Sequence, residues 1–282
     1  MRFSPIFNLL KVAVIVASAF LYPRSVHADD LTQAFFLTEL FEIMAEEGRA
    51  SAMADGATPL QGRALELYRT DVETIYDASR MLDAFLDSLT ADLANRPDVR
   101  ADALEFAATD LGRRILQLEI AARRALLDDD VDFIARDALS RARRAAPDTP
   151  EGMRLAQVRE RIAANDLVEL NVSLGLNTAL AYYRGMMAED AVFGLSGEML
   201  LQLVWEQEPA IREDIDDWIE SYFLMAYQPL DTTKLAEFNL YVATPLAQDF
   251  NRALFRAFDT VFTEISYQIG TALGRRVRAE EL

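Results

Sequence analysis

An all-α protein, a helical bundle of about ten helices built from two related halves, is what this sequence predicts. Three observations carry that expectation. Apolar residues recur at steps of three and four, with strand-like alternation hard to find. Proline, glycine and hydroxyl residues fall where helices start and stop. One phrase, aromatic-x-Ala-Thr-x-Leu-small, occurs twice, as FAATDLGRRI from Phe106 and as YVATPLAQDF from Tyr241.

In chain order, the first helix is expected over Leu31 to Glu47, where Leu37, Leu40, Phe41 and Met44 form one apolar face. Gly48 to Pro59 reads as a connection. Leu65, Tyr68, Val72, Ile75, Ser79, Leu82, Leu86, Leu89 and Leu93 then lie on one stripe, long enough for a helix hairpin. Asn95-Arg96-Pro97 breaks it, and Leu104, Ala108, Leu111, Ile115, Leu118, Ala122 and Leu126 make a second stripe. Further connections fall at Pro147 to Pro150, Asp190 to Gly197 and Gln228 to Thr233. Thr149-Pro150 and Thr244-Pro245 each set a capping hydroxyl before a proline at the first helical position, so both should begin helices.

The first residues form a different kind of element. Arg2 and Lys11 precede the short apolar run VAVIVASAFL, and Val26-His27-Ala28 places small residues three and one before Asp29. That is the three-part pattern of a secretory signal peptide, residues 1–28, cleaved after Ala28. No cysteine follows the run, which excludes lipid attachment there, and no transmembrane segment is expected after cleavage. Cleavage leaves 25 basic against 46 acidic residues, a net charge of −21. Such a chain repels phosphate backbones and anionic membrane surfaces, so nucleic acid is not an expected partner. The single histidine leaves with the leader and cysteine is absent. Histidine- or cysteine-dependent nucleophilic catalysis therefore falls away, as do the usual zinc, copper, haem and iron–sulfur sites; no metal or cofactor is expected.

The repeated phrase sets the domain reading. Phe106 and Tyr241, Thr109 and Thr244, and Leu111 and Leu246 are all separated by 135 residues, and Gly62 and Gly197 keep that offset. This favours duplication, with an N-terminal helical half at 29–147 and a C-terminal half at 148–282. Within each half, Thr109 with Gly112, and Thr244 with Pro245 and Ala247, read as a structural helix corner: a cap starts the new helix and a small residue permits close approach. From Tyr227 to Gly274 the chain runs from Thr232-Thr233-Lys234-Leu235 through Phe238 and Tyr241 to Thr244-Pro245-Leu246-Ala247-Gln248 and a long amphipathic helix. That stretch resembles the bacterial domain of unknown function 2059, with Val242, Ala247 and Asp249 standing where the family has an aromatic, a glycine and a lysine. A second, degenerate copy lies around Leu82 to Leu127. The resemblance implies an exported, all-helical protein of Gram-negative bacteria, periplasmic in location; the family's activity being unknown, it implies no site residues.

Asp128 to Asp132 lacks the glycine and glutamate of a calcium loop, with Phe133 and Leu139 in their places, and suits a helix start instead. Glu213, Asp214, Asp216, Asp217 and Glu220 alternate with Ile211, Ile215, Trp218 and Ile219, as a solvated helix face does, although paired carboxylates alone can hydrolyse glycosides. Trp218, Tyr222 and Tyr227 are the candidates for lining a ligand or partner groove among late aromatics that are otherwise expected in the core. No catalytic residue stands out. The sequence thus favours a non-enzymatic binding module of the cell envelope, its partner an envelope protein or a further copy of the chain. A carrier of a hydrophobic small molecule such as a lipid comes second, and a carboxylate-dependent cell-wall glycan hydrolase third.

Overall fold

The computed structural model describes residues 28–56, 59–189 and 196–280, and the leader reading lies outside these except for Ala28. The described residues form thirteen helices and no strand, so the fold is all-α with more helices than the periodicity suggests. They are α1 (Ala28–Ala34), α2 (Leu37–Gly56), α3 (Gly62–Ile75), α4 (Ala78–Leu93), α5 (Pro97–Ala108), α6 (Asp110–Ala125), α7 (Asp129–Arg144), α8 (Pro150–Ala164), α9 (Leu167–Ala188), α10 (Gly197–Trp205), α11 (Glu208–Ala226), α12 (Thr232–Val242) and α13 (Pro245–Glu280).

Local causes explain the extra helices. The single helix expected over Leu31 to Glu47 is broken at Phe35-Phe36, where Phe36 takes φ 52° and Phe35 turns inward, its ring tilted against Phe250 at 5.2 Å. In the other direction, Gly48 does not end a helix. It lies inside α2 because the Tyr76 ring rests on it, the nearest ring carbon falling 2.1 Å from where a β-carbon would stand. The two long stripes each change phase at a break. Between α3 and α4 the core-facing set becomes Met81, Phe85, Leu89 and Leu93, while Leu82 and Leu86 are only partly buried. Thr149-Pro150 and Thr244-Pro245 open α8 and α13 as expected.

The 36-residue α13, about 54 Å long at 1.5 Å per residue, is the spine. It packs along α9 and also against α3, α4 and α5. The closest approach is a reciprocal glycine contact: a β-carbon on Gly185 would fall 2.1 Å from the Tyr267 carbonyl oxygen, and one on Gly270 2.0 Å from that of Tyr182. Two backbones touch there, which only glycine allows. One continuous apolar core runs from Leu31 to Leu273, and the Phe41, Phe85 and Phe258 rings meet within it. A satellite cluster of Leu139, Ala142 and Leu155, against Leu224, seats α7 and α8 on α11. No described helix is long and apolar enough to cross a membrane.

Candidate functional site

The repeated phrase builds two matching corners that touch. In each, the Thr amide donates to the aromatic carbonyl three residues before it at 2.8 Å, for Thr109 to Phe106 and for Thr244 to Tyr241. Each Thr hydroxyl accepts from the amide three residues on, Gly112 at 2.9 Å and Ala247 at 3.3 Å. The Phe106 and Tyr241 rings of the two copies stack at 4.6 Å and 12°, and Tyr241 donates to Asp102 at 2.6 Å. Thr149 makes the same corner, with Ala146 before it and Gly152 after it. The small residue serves the corner itself: a β-carbon on Gly112 would lie 1.9 Å from the Phe106 carbonyl oxygen, and one on Gly152 2.2 Å from that of Ala146. Thr244→Ala is expected to lose about 1 kcal/mol of stability, read as a lowered urea midpoint at unchanged slope. An unchanged midpoint would show that the cap does not hold the corner.

From these corners a row of seven rings runs into the core. Tyr241, Phe106, Phe238, Tyr227, Phe223, Tyr222 and Trp218 follow one another at centroid spacings between 4.6 and 5.9 Å. The three aromatics expected to line a groove are therefore brought together, but in the sealed interior: Trp218, Tyr222 and Tyr227 are 3%, 1% and 0% exposed. Their polar ends meet a buried charge. Tyr227 donates to Glu119 Oε1 at 2.5 Å and Tyr222 to the Glu119 backbone oxygen at 3.0 Å. Arg161 is fully buried, its guanidinium 5.3 Å and 5.2 Å from the Phe223 and Phe238 ring centres. Arg123, buried beside Trp218, pairs with Glu47 at 2.5 Å. Burial pushes the Glu119 carboxyl up to about 7, with Arg161 and the Tyr227 hydroxyl pulling it the other way. Burial also lifts both tyrosines well above their ordinary range.

The acidic run on α11 divides. Glu213, Asp214 and Asp216 face solvent, as a solvated face should, but Glu220 is 3% exposed. Arg143 of α7 reaches it at 2.8 Å and Arg159 of α8 at 2.5 Å, and Arg143 also takes Asp217 at 2.5 Å. Glu220 is thereby the bolt that fixes α7 and α8 to α11. Both of its carboxylate oxygens accept from these guanidiniums. Burial and the neighbouring Glu220 charge raise Asp216 above the ordinary carboxylate range. Both acids border an open cleft of about 400 Å³ with Arg159 and Glu169.

Beside the bolt lies a groove of about 480 Å³ between α7, α8 and α11. Its walls are Val131, Ile134 and Ala138 on one side, Leu224 and Met225 on the other, with Arg141, Glu151 and Arg154 at the edges. Arg154 is tied down by donating to the Tyr227 and Leu230 carbonyls. Ile134, in the groove wall, is 62% exposed, and its neighbour Phe133 on α7 is 72% exposed. Asp128 caps α7, accepting from the Asp130 amide at 2.9 Å, so the aspartate run does mark a helix start. Among the described residues no group of acids is arranged to hold a metal ion.

Sequence reasoning missed Glu119 and Arg161. Each left a signal, a charged residue in phase with an apolar stripe: Glu119 four places after Ile115, Arg161 three after Val158. Compared with models of protein families, with curated proteins and with solved structures, the chain matches none.

Proposed function

We propose that this is an exported, periplasmic interaction module of the cell envelope, non-enzymatic, which docks a partner on the face formed by α7 and the groove beside it. The observation that carries the reading is the contrast between the two candidate regions. The charged knot around Glu119 is enclosed by aromatic rings, whereas the groove stands open, with Ile134 of its wall and Phe133 next to it on α7 both uncovered. Large apolar side chains left in water beside a concave apolar surface suit an interface better than a reaction.

Export is supported by the three-part leader pattern ahead of Asp29 and by the likeness of Tyr227 to Gly274 to the domain of unknown function 2059. The division into related halves, 29–147 and 148–282, is supported by the two corners, alike in hydrogen bonding and stacked on each other.

The test is a photo-reactive benzophenone side chain placed at Ile134 and, as control, at Leu240, which is 77% exposed on α12. Irradiation in intact cells should give one discrete adduct from Ile134 alone, on a chain whose mass begins at Asp29. Equal capture at both positions, or an unprocessed chain confined to the cytoplasm, would overturn the reading.

A further inference from the structure

The outer face of α7 has a charge pattern that names its own partner. Its eight charged residues invert about the midpoint between Arg136 and Asp137: Asp129 mirrors Arg144, Asp130 mirrors Arg143, Asp132 mirrors Arg141, and Arg136 mirrors Asp137. A helix with this property complements a second copy of itself laid antiparallel. We propose that α7 is the centre of a two-fold symmetric interface between two copies of this chain, an inference that rests on reading the α7 face as a docking surface.

The helix dipole accounts for part of the pattern, since it favours acids in the first turn and arginines in the last. It does not account for Phe133 and Ile134, large apolar side chains at 72% and 62% exposure between those charged ends. Nor are all the end charges used within the chain. Arg143 belongs to the Glu220 bolt, and Arg136 and Arg141 pair along the helix with Asp132 and Asp137. Asp129, Asp130 and Arg144 are exposed and have no ion pair among the described residues, Arg144 meeting only the Ser140 hydroxyl at 2.6 Å. A two-fold contact matches every group on one copy with its mirror on the other. The acidic first turn of one α7 then meets the arginine-rich last turn of its partner at both ends. Phe133 lies across from Ser140, between the two charged ends. No other occupant is specified by the pattern, because the complement of this helix is the helix itself.

The experiment is sedimentation equilibrium on the mature chain, residues 29–282, with two charge-reversed variants. One carries Asp129→Arg and Asp132→Arg; the other carries Arg141→Asp and Arg144→Asp, the mirror positions of the first pair. Arg143 is left alone to spare the bolt. Wild type should be a dimer, and each variant alone should dissociate at least about tenfold more readily, because like charges then face each other at both ends. Mixed one to one, the variants should recover the dimer as a heterodimer, each reversed turn meeting its complement. That recovery also shows that both variants are folded. A monomeric wild type, or variants that dimerise as well as wild type, would overturn the proposal. Cross-linking from Ile134 to a different protein in cells, with a monomeric wild type, would overturn the self-pairing while leaving the docking surface standing.

Discussion

Exchanging Arg161 for methionine will remove about 3–5 kcal/mol of stability at pH 8, the range for leaving a buried charge uncompensated. Arg161 has no exposed surface, lies between two phenyl rings, and is the cation that acts on Glu119. The loss should depend on pH in a defined direction. Glu119 has a folded value of about 7 against an ordinary 4.5, so its contribution to stability is fully present below 4.5 and is lost as pH rises through 7. Over that window the wild type should give up about 3 kcal/mol from this group. Without Arg161 the carboxyl holds its proton to higher pH, so the methionine variant should suffer less at pH 5 than at pH 8. Glu119→Gln should flatten the slope between pH 5 and 7. Urea titrations at pH 5, 6, 7 and 8 read all three. A methionine variant as stable as wild type at pH 8 would mean that the pair contributes nothing.

Gly270→Val will separate the spine from α9, with a loss of about 3 kcal/mol, near the upper end for overpacking. At an exposed helix position, replacing glycine by a residue with a side chain generally improves helix propensity. Here the new β-carbon would meet the Tyr182 carbonyl oxygen at 2.0 Å, and a backbone atom in a packed helix has nowhere to go. For a chain of this size the loss corresponds to a melting point lower by about 8 °C. Gly197→Ala is the control, since nothing lies within 4 Å of its β-carbon position, and its effect should stay within about 0.5 kcal/mol. Equal melting points for the two variants would mean that the helices part without cost.

The elements most legible in the sequence were those fixed by local chemistry. Thr149-Pro150 and Thr244-Pro245 start helices because a hydroxyl cap and a missing amide suit a helix start wherever they occur. The pairing of Thr109 with Gly112, and of Thr244 with Ala247, could likewise be read as a corner. That the two corners face each other could not, because a repeat offset says nothing about where copies meet. Phe36 and Gly48 misled for related reasons. A phenylalanine in the left-handed region has no local signature, and a glycine reads as a breaker unless the ring packed on it is known. The site was harder still. Trp218, Tyr222 and Tyr227 read as the lining of a groove and lie sealed in the core, because composition cannot tell a lined groove from a filled one. Glu220 looked like its four acidic neighbours until Arg143 and Arg159, some 60 to 80 residues away, closed over it.

The glycine contact between α9 and α13 also bears on the order in which the molecule can be completed. α3, α4 and α5, made early, lie against a spine made last among the described helices, as does α9 from the middle of the chain. Until α13 has emerged from the ribosome, those earlier helices lack the surface that completes the burial of Phe85, Val99 and Tyr182. Contacts so distant in sequence form slowly. The part of the core that α13 covers is therefore closed only when the last described helix has been made.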